Sequence, residues 1–330
     1  MSRSAILAAL LALTASGAAA QAVPDAWWAR YKDASEQVRL PGGREMTLHC
    51  EGAGAPVVVL DSGLGDGAAS WRKVQGEIAK TTKVCAYDRA GLGGSAMGPL
   101  PRDTQAIVGD LEALLKAARL RGPYVLVGHS MGSFDMRMYA SRNLRKVAGL
   151  VLVDPSADDQ NVRMAAVVPR MAEIQKASYS TIERCAGLAV AGALTPETKG
   201  CSQPPPPDVP AELRGWLRER QAGGTFITVK SELDSFMTLD AAEMAKVRRP
   251  LGAIPLIVLT GKPVSPGMTD AETETLHQLW ITLHDEMAAL STAGVNRAVP
   301  GSGHYIQVEK PAVVIAAVQE VVEATRAKRR

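Results

Sequence analysis

The fold is decided by eight consecutive residues, Val125-Leu126-Val127-Gly128-His129-Ser130-Met131-Gly132. The apolar residues at the start predict a buried strand and the residues from 134 onward predict a helix, so the G-x-S-x-G pentapeptide forms the turn between them. In so abrupt a turn, a side chain at Gly128 or Gly132 would collide with neighbouring backbone. The Ser130 hydroxyl is then held at the tip of the turn, and the Met131 N–H faces the place where negative charge develops during acyl transfer. We therefore predict Ser130 as a nucleophile and Met131 as an oxyanion donor.

Other short apolar runs lie on both sides of this turn. They occupy residues 57–60, 84–87, 150–153, 254–260 and 295–299, and helical patterns at 71–80, 104–118 and 134–141 separate the earlier ones. Two alternating segments around Pro41-Gly42-Gly43 add a hairpin near the start of the chain. Short buried strands that alternate with amphipathic helices predict an α/β fold with a parallel sheet and helices on both of its faces.

The alternation of strands and helices stops between residues 158 and 248. That region has helical patterns at 162–174, 211–221 and 240–247 and no convincing buried strand. The strand pattern then resumes, and a final helix begins at Pro311, a residue well suited to a first helical turn. The sequence thus predicts one α/β core, formed by residues 21–157 and 249–330, that is interrupted by a helical cap at 158–248.

The first twenty residues have the composition of a secretory signal peptide. Arg3 supplies a positive start, residues 5–14 form an uncharged, mostly Ala and Leu run, and Ala18-Ala19-Ala20 provides small residues for cleavage before Gln21. The run is too short for a stable transmembrane anchor, and no later stretch is long and apolar enough to be one. We expect a soluble mature protein that is exported to the periplasm or secreted.

A serine hydroxyl needs a base, and the chain has five histidines. His304, in the turn Gly301-Ser302-Gly303-His304, is the one that lies late in the chain at the carboxyl end of a predicted strand. The others lie in the hairpin, beside the serine with a side chain expected to point away from its hydroxyl, and on one helix face: His49, His129, His277 and His284. His304 is therefore the predicted general base.

The acid that would orient this base has two candidates. Asp154 directly follows the apolar run 150–153, the next predicted strand after the one that carries Ser130, so its carboxylate lies at the same edge of the sheet. Asp270 follows the strand at 254–260 in a loop that has no carboxylate close to the strand end. We favour Asp154 and keep Asp270 as the alternative.

The chain resembles the α/β-hydrolase family over nearly all of the sequence outside the signal peptide and the cap. The resemblance is carried by the elbow at 128–132, the turn Asp88-Arg89-Ala90-Gly91-Leu92-Gly93-Gly94-Ser95, the run Val151-Leu152-Val153-Asp154, and Gly303-His304. It implies an α/β-hydrolase fold with a mostly parallel, eight-stranded sheet and an inserted helical cap. The order of nucleophile, acid and base along the chain agrees with that of the family.

The same resemblance implies a second oxyanion donor. Many relatives carry His-Gly-x after the third strand, and the matching stretch here is Asp61-Ser62-Gly63-Leu64-Gly65. Ser62 replaces the usual histidine, so any contact of that histidine is lost. The donor is a backbone N–H, which survives the change, and it is expected to belong to Leu64.

In an exported protein, the four cysteines are expected to form disulfides. Cys50, Cys85, Cys185 and Cys201 allow three pairings, and an oxidising compartment favours bridges. The resemblance sets the strands of Cys50 and Cys85 side by side. It therefore implies a Cys50–Cys85 bridge and leaves Cys185–Cys201 to staple the cap.

These features predict a carboxylesterase-type serine hydrolase that acts on a small-molecule ester or related acyl substrate. A lactonase, amidase or perhydrolase would use the same residues, and an inactive hydrolase scaffold used for binding is an alternative of another class. The histidines do not cluster and no Cys-x-x-Cys occurs, so we expect no metal and no organic cofactor. A net charge of +3 without a basic stripe argues against nucleic acid as a partner. The substrate and the oligomeric state stay open.

Overall fold

The computed structural model describes residues 25–195, 198–201, 205–220, 224–262 and 267–328. The predicted signal peptide at 1–20 lies outside these ranges. Within them the chain forms one eight-stranded sheet with helices on both faces, which confirms the predicted fold class. Over the same ranges no helix combines the length and the apolar character needed to cross a membrane.

The sheet has the strand order β1-β2-β4-β3-β5-β6-β7-β8. The β1–β2 and β2–β4 pairs are antiparallel, and every later pair is parallel. The carboxyl ends of β3, β5, β6, β7 and β8 therefore meet at one edge, where loops can bring distant residues together. The strands are β1 Glu36–Arg39, β2 Glu45–Glu51, β3 Val57–Asp61, β4 Val84–Tyr87, β5 Tyr124–His129, β6 Val147–Val153, β7 Leu256–Thr260 and β8 Gly294–Ala298.

The helices lie between and after these strands. Their bounds are α1 Asp25–Asp33, α2 Gln75–Ala79, α3 Thr104–Ala117, α4 Gly132–Arg142, α5 Gln160–Val167, α6 Met171–Val190, α7 Arg214–Arg220, α8 Gly224–Thr238, α9 Asp240–Val247, α10 Asp270–Ala288, α11 Ile306–Glu309 and α12 Pro311–Ala327.

Two apolar layers hold the sheet, one on each face. Along β6, Leu150 and Leu152 belong to the layer that contains α3, α4 and α10. Val151 and Val153 belong to the layer that contains α1, α2 and α12. Because side chains alternate across a strand, a strand buried on both faces is apolar throughout, and this is the reason for the short uninterrupted apolar runs of the sequence.

Three helical segments of the structure differ from the prediction. The helix predicted at 162–174 is two helices, because Pro169 between α5 and α6 has no N–H to donate and its ring clashes with the preceding turn. The segment 71–80 contains only the last residue of a 3₁₀ turn, Ala68–Trp71, and the short α2. Helix α8 was not predicted, since its first turns carry β-branched residues of low helix propensity.

The described part of 158–248 contains α5 to α9 and no strand. Its division from the core at 157/158 and 248/249 stays a prediction. Both disulfides implied by the family resemblance are present in the structure. Cys50 and Cys85 are directly opposite in the β2–β4 pair, and Cys185 of α6 is bonded to Cys201.

Candidate active site

Ser130 lies between β5 and α4 with a backbone φ of 51°, in the left-handed region that residues other than glycine rarely adopt. Two backbone hydrogen bonds to the neighbouring strand end hold it there. The Ser130 N–H donates to the Val153 carbonyl at 3.1 Å, and the Ser130 carbonyl accepts from the Ser156 N–H at 3.1 Å. Backbone strain of this kind persists only where the surroundings determine the conformation, as they do at this elbow.

The two glycines of the elbow are required by close backbone approach. A Cβ on Gly128 would lie 2.7 Å from the Gly132 carbonyl oxygen. A Cβ on Gly132 would lie 2.5 Å from the Ser62 carbonyl oxygen, in the loop after β3. The collisions predicted from the sequence therefore exist, and Gly132 in addition lets the Ser62 loop approach the serine.

Asp154 and His304 are joined across 150 positions of sequence. The His304 Nδ1–H donates to Asp154 Oδ2 at 2.6 Å, and Asp154 is fully buried directly after β6. Asp154 also has a positive φ, 40°, so its backbone turns sharply at the strand end as that of Ser130 does. A short bond to a carboxylate fixes the ring and leaves Nε2 as the nitrogen that can take a proton.

The second oxygen of Asp154 is held by two further donors. The Trp280 indole N–H and the Gly261 N–H each donate to Asp154 Oδ1 at 2.9 Å. Burial alone would raise the pKa of the Asp154 carboxyl, but the hydrogen bond and charge of His304, with help from Gly261, hold the pKa below its ordinary value. The carboxylate is thus ionised and oriented on both sides.

His304 remains open to solvent at its outer edge, with 39% of its side chain exposed. Burial would lower the pKa of its imidazole, but the hydrogen bond and the negative charge of Asp154 outweigh this effect and raise the pKa above 6.5. A base with a raised pKa holds a transferred proton more firmly, which suits it to take the proton of a neighbouring hydroxyl.

His129 connects the elbow to the His304 loop. Its fully buried ring donates from Nε2 to the His304 carbonyl at 3.0 Å, and the two rings lie 4.7 Å apart. Burial, followed by the proximity of His304, lowers the pKa of His129 to about 3, so this ring is neutral. Ser130 and His304 therefore lie at the same edge of the sheet. Within the described residues no hydrogen bond joins their side chains, and bonds of this kind commonly tighten only around a bound substrate.

The two predicted oxyanion donors, Leu64 and Met131, belong to segments that lie beside Ser130. No backbone hydrogen bond among the described residues has the Leu64 or the Met131 N–H as its donor. Leu64 lies in the loop after β3, and that loop touches the elbow, because a Cβ on Gly63 would be 3.3 Å from the Ser130 Cβ. Unpaired donors next to a serine hydroxyl are what an oxyanion hole consists of.

Asp270, the alternative acid, is placed differently from the prediction. It is exposed and is the first residue of α10, directly after the capping residue Thr269, rather than part of the loop that follows β7. A carboxylate in the first turn stabilises the helix, because its negative charge interacts favourably with the positive end of the helix dipole. No hydrogen bond or ion pair between Asp270 and His304 occurs in the described part of the chain.

Several residues around the site were not recognised from the sequence. Trp280 and His284 are four apart on α10, so they share the face that lies against the strand ends. The His284 Nε2–H donates to the Pro155 carbonyl at 2.8 Å, and burial lowers the pKa of His284 to about 4. The sequence signal that could have identified them is a Trp and a His four residues apart on the helix that follows β7.

A second carboxyl lies close to His304. Burial raises the pKa of Asp66, in the loop after β3, although Arg89 and the Tyr305 hydroxyl act against this effect. Asp66 raises the pKa of Tyr305 in return.

Among the described residues, no group of three or more His, Cys, Asp or Glu side chains is arranged to hold a metal ion.

The sequence profile of the alpha/beta hydrolase family matches residues 57–317. The match spans most of the chain and agrees with the sheet order and with the strand–elbow–helix unit around Ser130. The protein therefore belongs to the alpha/beta hydrolase family.

Individual relatives are distant. The uncharacterised protein YqjL of Bacillus subtilis is 25% identical over 276 residues, which are 83% of this chain and 87% of that protein. The solved structure of a thermophilic esterase from Thermogutta terrifontis matches with a TM-score of 0.59 at 20% identity, over 88% of this chain and 98% of the esterase. The epoxide hydrolase CorEH matches with a TM-score of 0.61 at 18% identity, over 87% and 97% of the two chains. At these identities the solved structures show a shared fold.

Proposed function

We propose that the protein is a serine hydrolase that cleaves a carboxylic ester, or a related acyl bond, through an acyl-enzyme intermediate. Ser130 is the nucleophile, His304 the general base and Asp154 the acid that orients it. The observation that carries the proposal is the 2.6 Å bond between His304 Nδ1 and Asp154, at the sheet edge where Ser130 has its left-handed backbone.

The first half of the reaction acylates the serine. His304 Nε2 accepts the hydroxyl proton while Ser130 Oγ attacks the carbonyl carbon, and the ionised Asp154 stabilises the imidazolium that forms. The carbonyl oxygen becomes an oxyanion that accepts hydrogen bonds from the Leu64 and Met131 N–H groups. The imidazolium then gives its proton to the leaving alcohol, and the acyl-serine remains.

The second half releases the acid. His304 takes a proton from water, which attacks the acyl carbon, and the same two N–H groups stabilise the second oxyanion. The proton returns to Ser130 Oγ as the bond to the acyl group breaks. Lactones and amides contain the same carbonyl, so the choice among them depends on the cap rather than on these residues.

Export is part of the proposal. Two disulfides are compatible with an oxidising compartment outside the cytoplasm. Residues 1–20 act as a signal peptide and the mature chain begins at Gln21 in the periplasm or the medium. N-terminal sequencing of the exported protein tests this, and a chain that still begins at Met1 would contradict it.

The decisive experiment compares wild type, Ser130→Ala and Ser141→Ala on chromogenic esters of graded acyl length. Ser141 is a matched control, since it is a buried serine of α4 far along the helix from the elbow. We expect Ser130→Ala to lose about 10⁴-fold or more in kcat and Ser141→Ala to keep its activity. Equal turnover by wild type and Ser130→Ala would refute the proposal.

A fluorescent alkyl phosphonate, which reacts with activated serines, separates catalysis from a binding role. Wild type and Ser141→Ala should be labelled, and Ser130→Ala should not. A correctly folded wild type that stays unlabelled would instead favour a non-catalytic hydrolase scaffold.

A further inference from the structure

Helix α8 of the predicted cap faces the core with polar side chains. Thr228, Glu232 and Ser235, at helical spacing, are 0%, 0% and 2% exposed. Ser231 lies on the same side and accepts a hydrogen bond from the Arg102 N–H at 2.9 Å. A buried glutamate is costly unless it is paired, so the partner of Glu232 decides what this face does.

The partner is Arg89, from the turn at 88–95 that the sequence analysis singled out. Arg89 Nε donates to Glu232 Oε1 at 2.8 Å and Arg89 Nη2 donates to Glu232 Oε2 at 3.1 Å. Both side chains are fully buried, and the guanidinium binds the carboxylate through two parallel hydrogen bonds. The pair fixes the position of α8 relative to the core.

Arg89 also pairs with the buried Asp61 at the end of β3, because its Nη1 donates to Asp61 Oδ1 at 3.0 Å. The other bonds of Arg89 and Glu232 go to the loop that carries Leu64. Arg89 donates to the Ser62 carbonyl at 2.5 Å and to the Gly63 carbonyl at 2.6 Å. Glu232 Oε2 accepts from the Gly65 N–H at 3.2 Å. The loop is therefore held on both sides of Leu64 by a single arginine and a single glutamate.

The bond to Gly63 acts directly on the oxyanion donor. The Gly63 carbonyl and the Leu64 N–H belong to one planar trans peptide unit, so they point in opposite directions. When Arg89 holds the carbonyl towards the interior, the Leu64 N–H is turned the other way. A cationic donor on the carbonyl also polarises the peptide unit, which makes its N–H a stronger donor.

We propose that Glu232 of the cap is a positioning residue that acts through Arg89 to aim the Leu64 N–H at the oxyanion, so that the cap completes the hydrolytic site. This inference rests on the proposed acyl-transfer function. It predicts that the loss of the Glu232 charge lowers transition-state binding while ground-state binding of the substrate persists.

The test uses Glu232→Gln in the full chain, with Ser235→Ala as a control on the same buried face of α8. The amide keeps the size of the side chain and an oxygen for the Gly65 N–H, but it removes the charge that pairs with Arg89. We expect kcat to fall about 10²-fold with KM changed less than threefold, as when an oxyanion donor is lost. Ser235→Ala should keep both constants. Phosphonate titration of active sites corrects each kcat for the folded fraction.

A second readout separates positioning from a merely structural role. A trifluoromethyl ketone forms a tetrahedral adduct with an active serine and needs the oxyanion hole, whereas KM reports the uncharged substrate. In Glu232→Gln the inhibition constant of the ketone should rise by the same factor as kcat/KM falls. An unchanged inhibition constant, or a loss confined to KM, would overturn the inference.

If Glu232→Gln does not fold, Glu232→Met removes the carboxylate without placing an amide NH₂ opposite the donors of Arg89, and Arg89 keeps its buried ion pair with Asp61. Glu232→Met should fold and show the same loss of kcat, and wild-type kcat in it would overturn the inference. The proposed function fails in a different way, because wild type would then not depend on Ser130 at all.

Discussion

Replacing Asp154 by Asn tests the geometry of the site most directly. Oδ1 of Asp154 accepts from the Trp280 and Gly261 N–H groups, and Oδ2 accepts from His304. The Asn oxygen can serve the first two donors only if the amide NH₂ faces His304. The imidazole must then accept at Nδ1 and carry its proton on Nε2, so it can no longer take a proton from Ser130.

The expected loss follows from this change of tautomer. The same replacement in a Ser-His-Asp triad costs about 10⁴-fold in kcat, which corresponds to about 5.5 kcal/mol of transition-state stabilisation. The matched control is Asp270→Asn, which removes an equally charged side chain at the exposed start of α10. We expect the control to keep kcat within about twofold and to lose at most about 1 kcal/mol of stability, through the helix terminus.

The assay is ester hydrolysis between pH 5 and pH 9, with active sites counted by phosphonate titration. Because Asp154 raises the pKa of His304, the acid limb of kcat/KM for wild type should have its midpoint above pH 6.5. Activity rises with pH through this limb, since the base works in its neutral form. Without the negative charge the midpoint should move to lower pH in Asp154→Asn. Severe loss in Asp270→Asn with little loss in Asp154→Asn would refute the assignment.

Three further predictions concern the elbow, the disulfides and a buried histidine. Gly132→Ala should abolish ester turnover, because its Cβ would lie 2.5 Å from the Ser62 carbonyl oxygen, and circular dichroism checks that the fold persists. The double variant Cys50→Ser/Cys85→Ser, which opens a separation of 35 residues, should lose roughly 3 to 4 kcal/mol in urea unfolding, and an unchanged midpoint would contradict this. Burial lowers the pKa of His284 to about 4 in the folded protein, from about 6.5 in the unfolded chain. The unfolded chain therefore binds more protons between these values, and stability falls as the pH drops from 6.5 to 4. His284→Gln should reduce that slope by up to about 1.4 kcal/mol per pH unit, and the same slope in both proteins would show that His284 contributes none of it.

The sequence by itself determined the tight strand-to-helix turn at Ser130 and the alternation of strands and helices. Both are largely local, since eight residues contain the strand end, the two glycines and the serine. Gly128 must be small because of backbone four residues away, whereas Gly132 meets the more distant Ser62 loop. His304 also followed from the sequence, because only one of five histidines comes late in the chain after a predicted strand. The fully apolar strands could also be predicted, because a strand that is buried on both faces is apolar at every position and does not alternate between apolar and polar residues.

Only the tertiary structure paired His304 with Asp154 rather than with Asp270. The choice depends on Trp280 and Gly261, which lie more than a hundred positions from Asp154 and reach it because β6, β7 and α10 pack together. The contact between Glu232 and Arg89 spans 143 positions and could not be predicted from the sequence either. In addition, the β-branched residues in the first turns of α8 kept this helix from being predicted. The backbone conformation of a turn or strand depends mainly on adjacent residues, so the sequence can predict it. The pairing of buried charges depends on which distant parts of the chain pack together, so only the tertiary structure decides it.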